Sequence, residues 1–220
     1  MKRRSITTDD SFQNLPIMTD ADRGLFTDAR ILEKIKAQFD FAEKSKSKTF
    51  FMRYDVRYPS GWSENPNNRQ FSNFQASLMK SLSRGGLNPQ YLAVREQFRG
   101  KHPHYHVCLW LDGQKTRHVS NHIHTAERLW ASTLGLPTKD GGRGLIDDCT
   151  RSRRGEIQTN GVLLCPRDPD YEARRAECFY RASYLAKIST KKTPEGQREL
   201  FASRLPRSTT QEFGKVLKKS

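Results

Sequence analysis

At 220 residues the chain is long enough for one hydrophobic core with decorated ends. Its 39 Lys and Arg against 24 Asp and Glu, a formal charge of +15, favour a phosphate-bearing partner over an apolar or cationic one. No apolar run approaches the roughly 18 residues of a membrane span, and Met1-Lys2-Arg3-Arg4-Ser5 leads into polar sequence rather than a signal segment, so a cytoplasmic protein with no membrane partner is expected.

Residues 1 to about 25 read as a loose arm, followed by a helical pattern from Ala29 to Phe39 with Ile31, Ile35 and Phe39 on one stripe. Thr49 to Tyr58 is rich in aromatic and β-branched residues and reads as the first core strand, ended by Pro59-Ser60-Gly61. A helix with Phe71, Phe74, Leu78 and Leu82 on its buried stripe follows, stopped by Gly85-Gly86. Two strands come next, Tyr91 to Phe98 and His104 to Leu111, joined across Arg99-Gly100-Lys101-His102-Pro103, a connection of hairpin length. A helix is expected over Asn121 to Leu134, where His122 and His124 read as ordinary polar residues. Gly141-Gly142-Arg143-Gly144 lacks the Gly-Lys-Ser/Thr ending of a phosphate loop and reads as a flexible loop. Glu156 to Leu164 is expected to add a further strand, and the run from Asp170 to Lys187, free of glycine and proline, to form a helix. The order suits an α+β sandwich with a central antiparallel sheet and flanking helices. The four cysteines, Cys108, Cys149, Cys165 and Cys178, form no CxxC pair and read as free thiols.

Two of these segments carry chemistry. Side chains in a strand alternate between faces, so His104 and His106 point the same way, about 6 to 7 Å apart along the chain, and can share one metal ion. Two neutral imidazoles make a weak site for a hard cation, so an anionic third ligand is expected, and an antiparallel hairpin brings Glu96 beside His106. Glu96 shares its face with Leu92, Val94 and Phe98. Either it enters that apolar face near its open end, or a bulge re-aims the strand and Gln97 takes its place. His102 has the same parity as the other two histidines, but Pro103 interrupts regular pairing there and His102 is read as a loop residue near the site.

The second segment is Cys178 to Lys187. On a helix Tyr180, Tyr184 and Lys187 stand at i, i+4 and i+7, so their polar tips form one stripe, while Phe179, Ala182, Leu185 and Ala186 hold the helix on a sheet. Taken alone, that spacing also describes two tyrosines at a core edge beside a solvated lysine.

Together, Arg95-Glu96-Gln97, His104-Tyr105-His106-Val107 and Ser183-Tyr184-Leu185-Ala186-Lys187 resemble the HUH endonuclease superfamily. Within it the chain is most similar to the inovirus-type rolling-circle replication initiators, a family that also contains YagK/YfjJ-like C-terminal domains. The resemblance covers roughly residues 48 to 190. It implies an HUH-type two-layer sandwich and a metal-dependent nickase and strand transferase acting on single-stranded DNA or an origin hairpin. It further implies Mg²⁺ or Mn²⁺ on Glu96, His104 and His106, and a 5′-phosphotyrosine intermediate at Tyr184 or Tyr180. Lys187 would help stabilise the phenolate, whose parent phenol has a reference pKa of about 10. A free 3′-hydroxyl would be handed to the polymerase and helicase of a bacterial host, in the service of a phage, prophage or plasmid.

On this reading residues 1–47 are an N-terminal arm and helix, 48–192 the endonuclease core and 193–220 a basic tail. Basic residues recur as Lys2-Arg3-Arg4, Lys44/Lys46/Lys48, Arg151/Arg153/Arg154, Arg174-Arg175, Lys191-Lys192 and Lys215/Lys218/Lys219, and their number around the proposed site matters more than any one run. Two other readings stand beside the nickase: a non-catalytic DNA-binding regulator with the same fold, and a basic RNA-binding module in which Tyr105, Tyr180 and Tyr184 stack on bases.

Overall fold

A computed structural model describes residues 5–20, 22–63, 67–97, 102–152, 154–188 and 197–206. In chain order its elements are β1 (Ile6–Thr7), β2 (Ser11–Phe12), β3 (Leu15–Pro16), β4 (Thr27–Asp28), α1 (Ala29–Ser45), β5 (Thr49–Val56), α2 (Asn68–Arg84), β6 (Gln90–Glu96) and β7 (His104–Asp112). Then follow α3 (Val119–Thr133), β8 (Ile146–Asp147), β9 (Val162–Leu164), α4 (Tyr171–Ser183), a 3₁₀ turn (Tyr184–Ala186) and β10 (Leu200–Ala202).

The fold is α+β. Its six-stranded sheet runs β10-β6-β7-β5-β8, with β9 also paired to β5, and every pairing is antiparallel. Strand β5, Thr-Phe-Phe-Met-Arg-Tyr-Asp-Val, lies in the middle and is buried on both faces over most of its length. Helices cover both of them. On one, Phe50, Met52, Tyr54 and Val56 meet Tyr105, Val107, Leu109 and Leu111 under α2 and α3. On the other, Phe51, Leu92, Val94, Cys108 and Trp110 pack against α1 through Ile31, Ile35 and Phe39 and against α4 through Cys178, Phe179 and Ala182. The arrangement is therefore a central antiparallel sheet with flanking helices, α2 and α3 on one face and α1 and α4 on the other, each burying its apolar stripe.

Local chemistry explains the helix limits. Asp28 caps α1, its Oδ1 accepting from the Arg30 N–H at 3.0 Å, and Asn67 caps α2 by accepting from the Arg69 N–H at 2.8 Å. Helix α2 ends where Gly86 takes φ +70° and the Leu87 N–H donates back to the Leu82 carbonyl at 3.1 Å, a bond that satisfies a carbonyl the helix leaves open.

Three expectations change. The arm is tied down: the Met18 N–H donates to Ser183 Oγ at 2.7 Å, and Thr27 bridges to Lys187, so residues before α1 hold the end of α4. Leu200–Ala202, assigned by sequence to the basic tail, pairs with Leu92–Val94 as an edge strand, with Phe201 in the core. Of Glu156–Leu164 only Val162–Leu164 is strand; earlier in that run Ile157 makes a single bridge to Arg151, and the Gln158 N–H donates to the Thr150 carbonyl at 2.8 Å. Phe98 and the turn Arg99-Gly100-Lys101 lie outside the described residues, as do Lys2-Arg3-Arg4, Arg153, Lys191-Lys192 and Lys215/Lys218/Lys219.

Candidate active site

Strand pairing assembles the site on the face shared by α1 and α4. The β6–β7 register runs unbroken from Gln90 opposite Trp110 to Glu96 opposite His104, so no bulge re-aims Glu96. It enters the apolar face at the open end of its strand. Gln97 turns to the other face, where its Oε1 accepts from the Arg95 guanidinium at 2.7 Å. Across the other edge of β7, Asp55 of β5 stands opposite His106.

His106 is consequently held from two sides. Its Nδ1 lies 2.7 Å from Asp55 Oδ1 and its Nε2 lies 2.6 Å from Glu96 Oε2. Burial alone would drive the proton off this ring, but the two carboxylates outweigh it and raise the imidazole pKa to about 9. Burial would likewise favour a protonated Asp55, yet the His106 charge and bond keep its carboxyl well below the usual range. His104 behaves oppositely. Desolvation comes first, the neighbouring His106 charge second, and both lower its pKa, so its ring is neutral and carries a free lone pair at pH 7.

The donor chemistry of Glu96, His104 and His106 fits a divalent cation, with Asp55 in the position of the carboxylate that orients a ligating histidine from behind. Among the described residues no group of three or more His, Cys, Asp or Glu is arranged to hold a metal as it stands, and Glu96 and the His106 ring are hydrogen-bonded to each other at 2.6 Å.

The tyrosines are not equivalent. Helix α4 ends at Ser183 and tightens into the 3₁₀ turn, where the arm grips it through Met18 and Thr27, so the even i, i+4, i+7 stripe is broken. Tyr180 is 39% exposed, whereas Tyr184 is half-buried with its ring edge-to-face against His106 at 5.2 Å between centroids. Lys187 Nζ lies 5.4 Å from the Tyr184 ring centroid, and a third cation, Arg53, lies 4.9 Å from it. The structure thus brings Glu96, His104, His106, Tyr184 and Lys187 to one place, while Tyr180, one turn back on α4, is exposed.

Asp55 and Arg53 escaped the sequence reading. Their signal was two charges at i and i+2 on one face of an otherwise apolar strand, Arg53-Tyr54-Asp55. His102, by contrast, lies tilted against Tyr58 at 5.7 Å between ring centroids, and Tyr58 belongs to the cluster of the opposite face. His122 is bonded to Thr116 Oγ1 at 2.7 Å. All four cysteines are free and buried. Two basic residues counted toward a phosphate-binding surface are used internally: Arg175 pairs with Glu43 at 2.9 Å and Asp40 at 3.0 Å, and Lys46 is buried. The 141–144 loop packs on α3, where Gly142 leaves no room for a Cβ beside the Glu127 carbonyl and the Gly144 N–H donates to Glu127 Oε1 at 2.8 Å. No helix among the described residues is long and apolar enough to cross a membrane.

Fold and site together define an α+β protein with a carboxylate–histidine–carboxylate chain beneath a tyrosine on one face of an antiparallel sheet. The model of the YagK/YfjJ C-terminal domain matches residues 7–203, and the chain belongs to that family. The match takes in the arm and β10, which the structure also packs into one body. No curated protein and no solved structure matches the chain.

Proposed function

We propose that the chain is a metal-dependent single-stranded DNA endonuclease of the HUH type that cuts by forming a phosphotyrosine at Tyr184 and so initiates rolling-circle replication of a phage, prophage or plasmid. The observation that carries this reading is the seating of Tyr184 against His106, which joins two segments nearly eighty residues apart on one sheet face. Neither segment is distinctive alone. Their convergence with Glu96, His104, Asp55 and Lys187 supplies each residue type that phosphodiester transfer needs.

Glu96, His104 and His106 would hold Mg²⁺ or Mn²⁺, which when bound supplies charge neutralisation at the scissile phosphate. Asp55 keeps the His106 Nδ1–H engaged, which leaves Nε2 as the nitrogen facing Glu96. Tyr184 is the nucleophile: its phenol gives up its proton as the oxygen bonds to phosphorus, the P–O3′ bond breaks, and the departing 3′-oxygen takes up one proton, so the exchange is proton-neutral. Lys187 favours the phenolate through its charge. Exposed Arg151, Arg154 and Arg174 contribute sequence-independent phosphate contacts. Tyr180, exposed one turn back on α4, would serve a second transfer. The free 3′-hydroxyl is what a host polymerase would extend, with a host helicase opening the duplex.

One observation favours a second reading, a non-catalytic DNA-binding regulator: the Asp55–His106–Glu96 chain is complete without a metal. A denaturing gel with end-labelled single-stranded and hairpin oligonucleotides, with and without Mn²⁺, separates the two. A covalent adduct that peptide mapping assigns to Tyr184 is expected. Adduct at Tyr180 reverses the order of the tyrosines, and tight binding without adduct favours the regulator.

A further inference from the structure

The most unusual group near the site is one that the proposed chemistry does not use. Arg53 sits on the central strand with 5% of its surface exposed, on the same face as Phe51 and opposite Cys108. A buried guanidinium is costly, and its neighbours on that face show that an apolar side chain fits there. Its contacts converge on the tyrosine turn. One terminal nitrogen donates to the Arg181 carbonyl at 3.0 Å, in the last turn of α4, where carbonyls lose their helical partners. The other lies 3.8 Å from Asp55 Oδ1, and the guanidinium carbon lies 4.9 Å from the Tyr184 ring centroid. Its Nε is buried with no hydrogen-bond partner. The backbone is held as firmly: Asn160 Oδ1 accepts from the Arg53 N–H at 2.7 Å, and Asn160 Nδ2 donates to the Arg53 carbonyl at 2.8 Å.

We infer that Arg53 is the positioning residue for the nucleophile, tying the end of α4 and the Tyr184 ring to the strand that carries Asp55. This rests on the endonuclease reading for its functional meaning, though the contact itself does not. A planar, permanently charged fork can bond a carbonyl and lie against an aromatic ring at once, which a lysine ammonium does less well and a neutral side chain not at all. Capping of α4 alone would account for the bond to Arg181. It would not account for the approach to Tyr184 and Asp55.

Two measurements test this on the full chain carrying 3-fluorotyrosine, with the Tyr184 ¹⁹F resonance assigned from Tyr184→Phe. In Arg53→Gln that resonance should move toward the position of an exposed tyrosine and broaden, with partial return in Arg53→Lys. In single-turnover reactions with Mn²⁺, Arg53→Gln should form adduct about ten- to a hundredfold more slowly at saturating oligonucleotide, as expected for a misplaced nucleophile, while oligonucleotide affinity stays within about twofold. Arg53→Lys should recover part of the rate. If Arg53→Gln does not fold, Arg53→Lys is read alone, with the same direction and a smaller change. An unshifted Tyr184 resonance in a folded variant overturns the inference, and so does an unchanged adduct rate or an equal loss of rate and affinity. If the wild type forms no adduct with any DNA, the endonuclease reading fails, and the ¹⁹F spectra still decide whether Arg53 holds Tyr184.

Discussion

The two faces of the sheet are built from the same strands and do different things. Under α2 and α3 several large side chains close on neutral partners: Tyr54 Oη donates to Gln75 at 3.0 Å, Trp130 Nε1 donates to the Arg57 carbonyl at 2.7 Å, and the Phe71 ring stacks flat on Tyr105 at 3.9 Å. Under α1 and α4 an equally apolar zone around Phe39 and Trp110 gives way to Arg53 and Asp55, two and four residues beyond Phe51 on β5, and to His106 and His104, four and six residues from Trp110 on β7. The first face stores stability. It buries one guanidinium, Arg95, which donates to Gln97 Oε1 at 2.7 Å, whereas the second gathers Arg53, Asp55 and His106, charges of both signs, around the ring of Tyr184.

Substitutions on the two faces should therefore separate stability from activity. The largest effects are expected on the charged face: Tyr184→Phe keeps the ring and should eliminate the covalent adduct on a denaturing gel, and His106→Ala should abolish metal-dependent cleavage while filter binding of single-stranded DNA survives. Equal loss of binding and cleavage in a folded His106→Ala protein would remove the catalytic metal from the reading. On the opposite face, Phe71→Ala should cost about 3 to 5 kcal/mol in denaturant unfolding and leave the per-molecule adduct rate unchanged. Asp55→Asn should weaken Mn²⁺ binding about ten- to a hundredfold by calorimetry and also lower the unfolding midpoint, because the buried His106 and Arg53 charges lose their carboxylate.

Smaller changes sharpen the boundary between the faces. Glu96→Gln should weaken metal binding where Gln97→Ala, on the other side of the strand, should not; the opposite result would move the third ligand to Gln97. Lys187→Ala should slow adduct formation without changing metal affinity, and Tyr180→Phe should spare the first nick but impair strand transfer in an assay with a second oligonucleotide. The smallest effect belongs to Lys46, whose burial lowers its pKa to about 8 against the opposing pull of Asp112. With the unfolded value near 10.5, its charge destabilises the fold fully below pH 8, and this penalty fades as pH rises toward 10.5. Lys46→Met should gain on the order of 1 kcal/mol at pH 7 and nothing at pH 11, measured by urea unfolding at the two pH values.

Strand parity was enough to group His104 with His106, and the need for an anionic ligand with a hairpin-length connection nominated Glu96, while the apolar neighbours on its face kept Gln97 as the alternative. What parity cannot supply is which strand lies on the far side of the histidines. Asp55 becomes visible only once β5 pairs with β7 in the register that sets it opposite His106. The unequal tyrosines were illegible for a related reason: helical spacing treats Tyr180 and Tyr184 alike, and the 3₁₀ turn that separates them depends on Met18 and Thr27, more than 150 residues away in the chain. The edge strand Leu200–Ala202 was missed because three residues are too few for alternation to register.

Asn160 has a consequence for how the protein behaves in a crowded solution. Along the outer edge of β5, β9 covers Thr49–Phe51 and β8 covers Asp55–Val56, which leaves a gap at Arg53. An uncovered N–H and C=O in the middle of a sheet edge is an invitation to a foreign strand. The Asn160 amide presents one acceptor and one donor in that gap, as a strand residue would, and so closes the edge with a side chain. Asn160→Ala would reopen it, and self-association through that edge is the penalty the amide prevents.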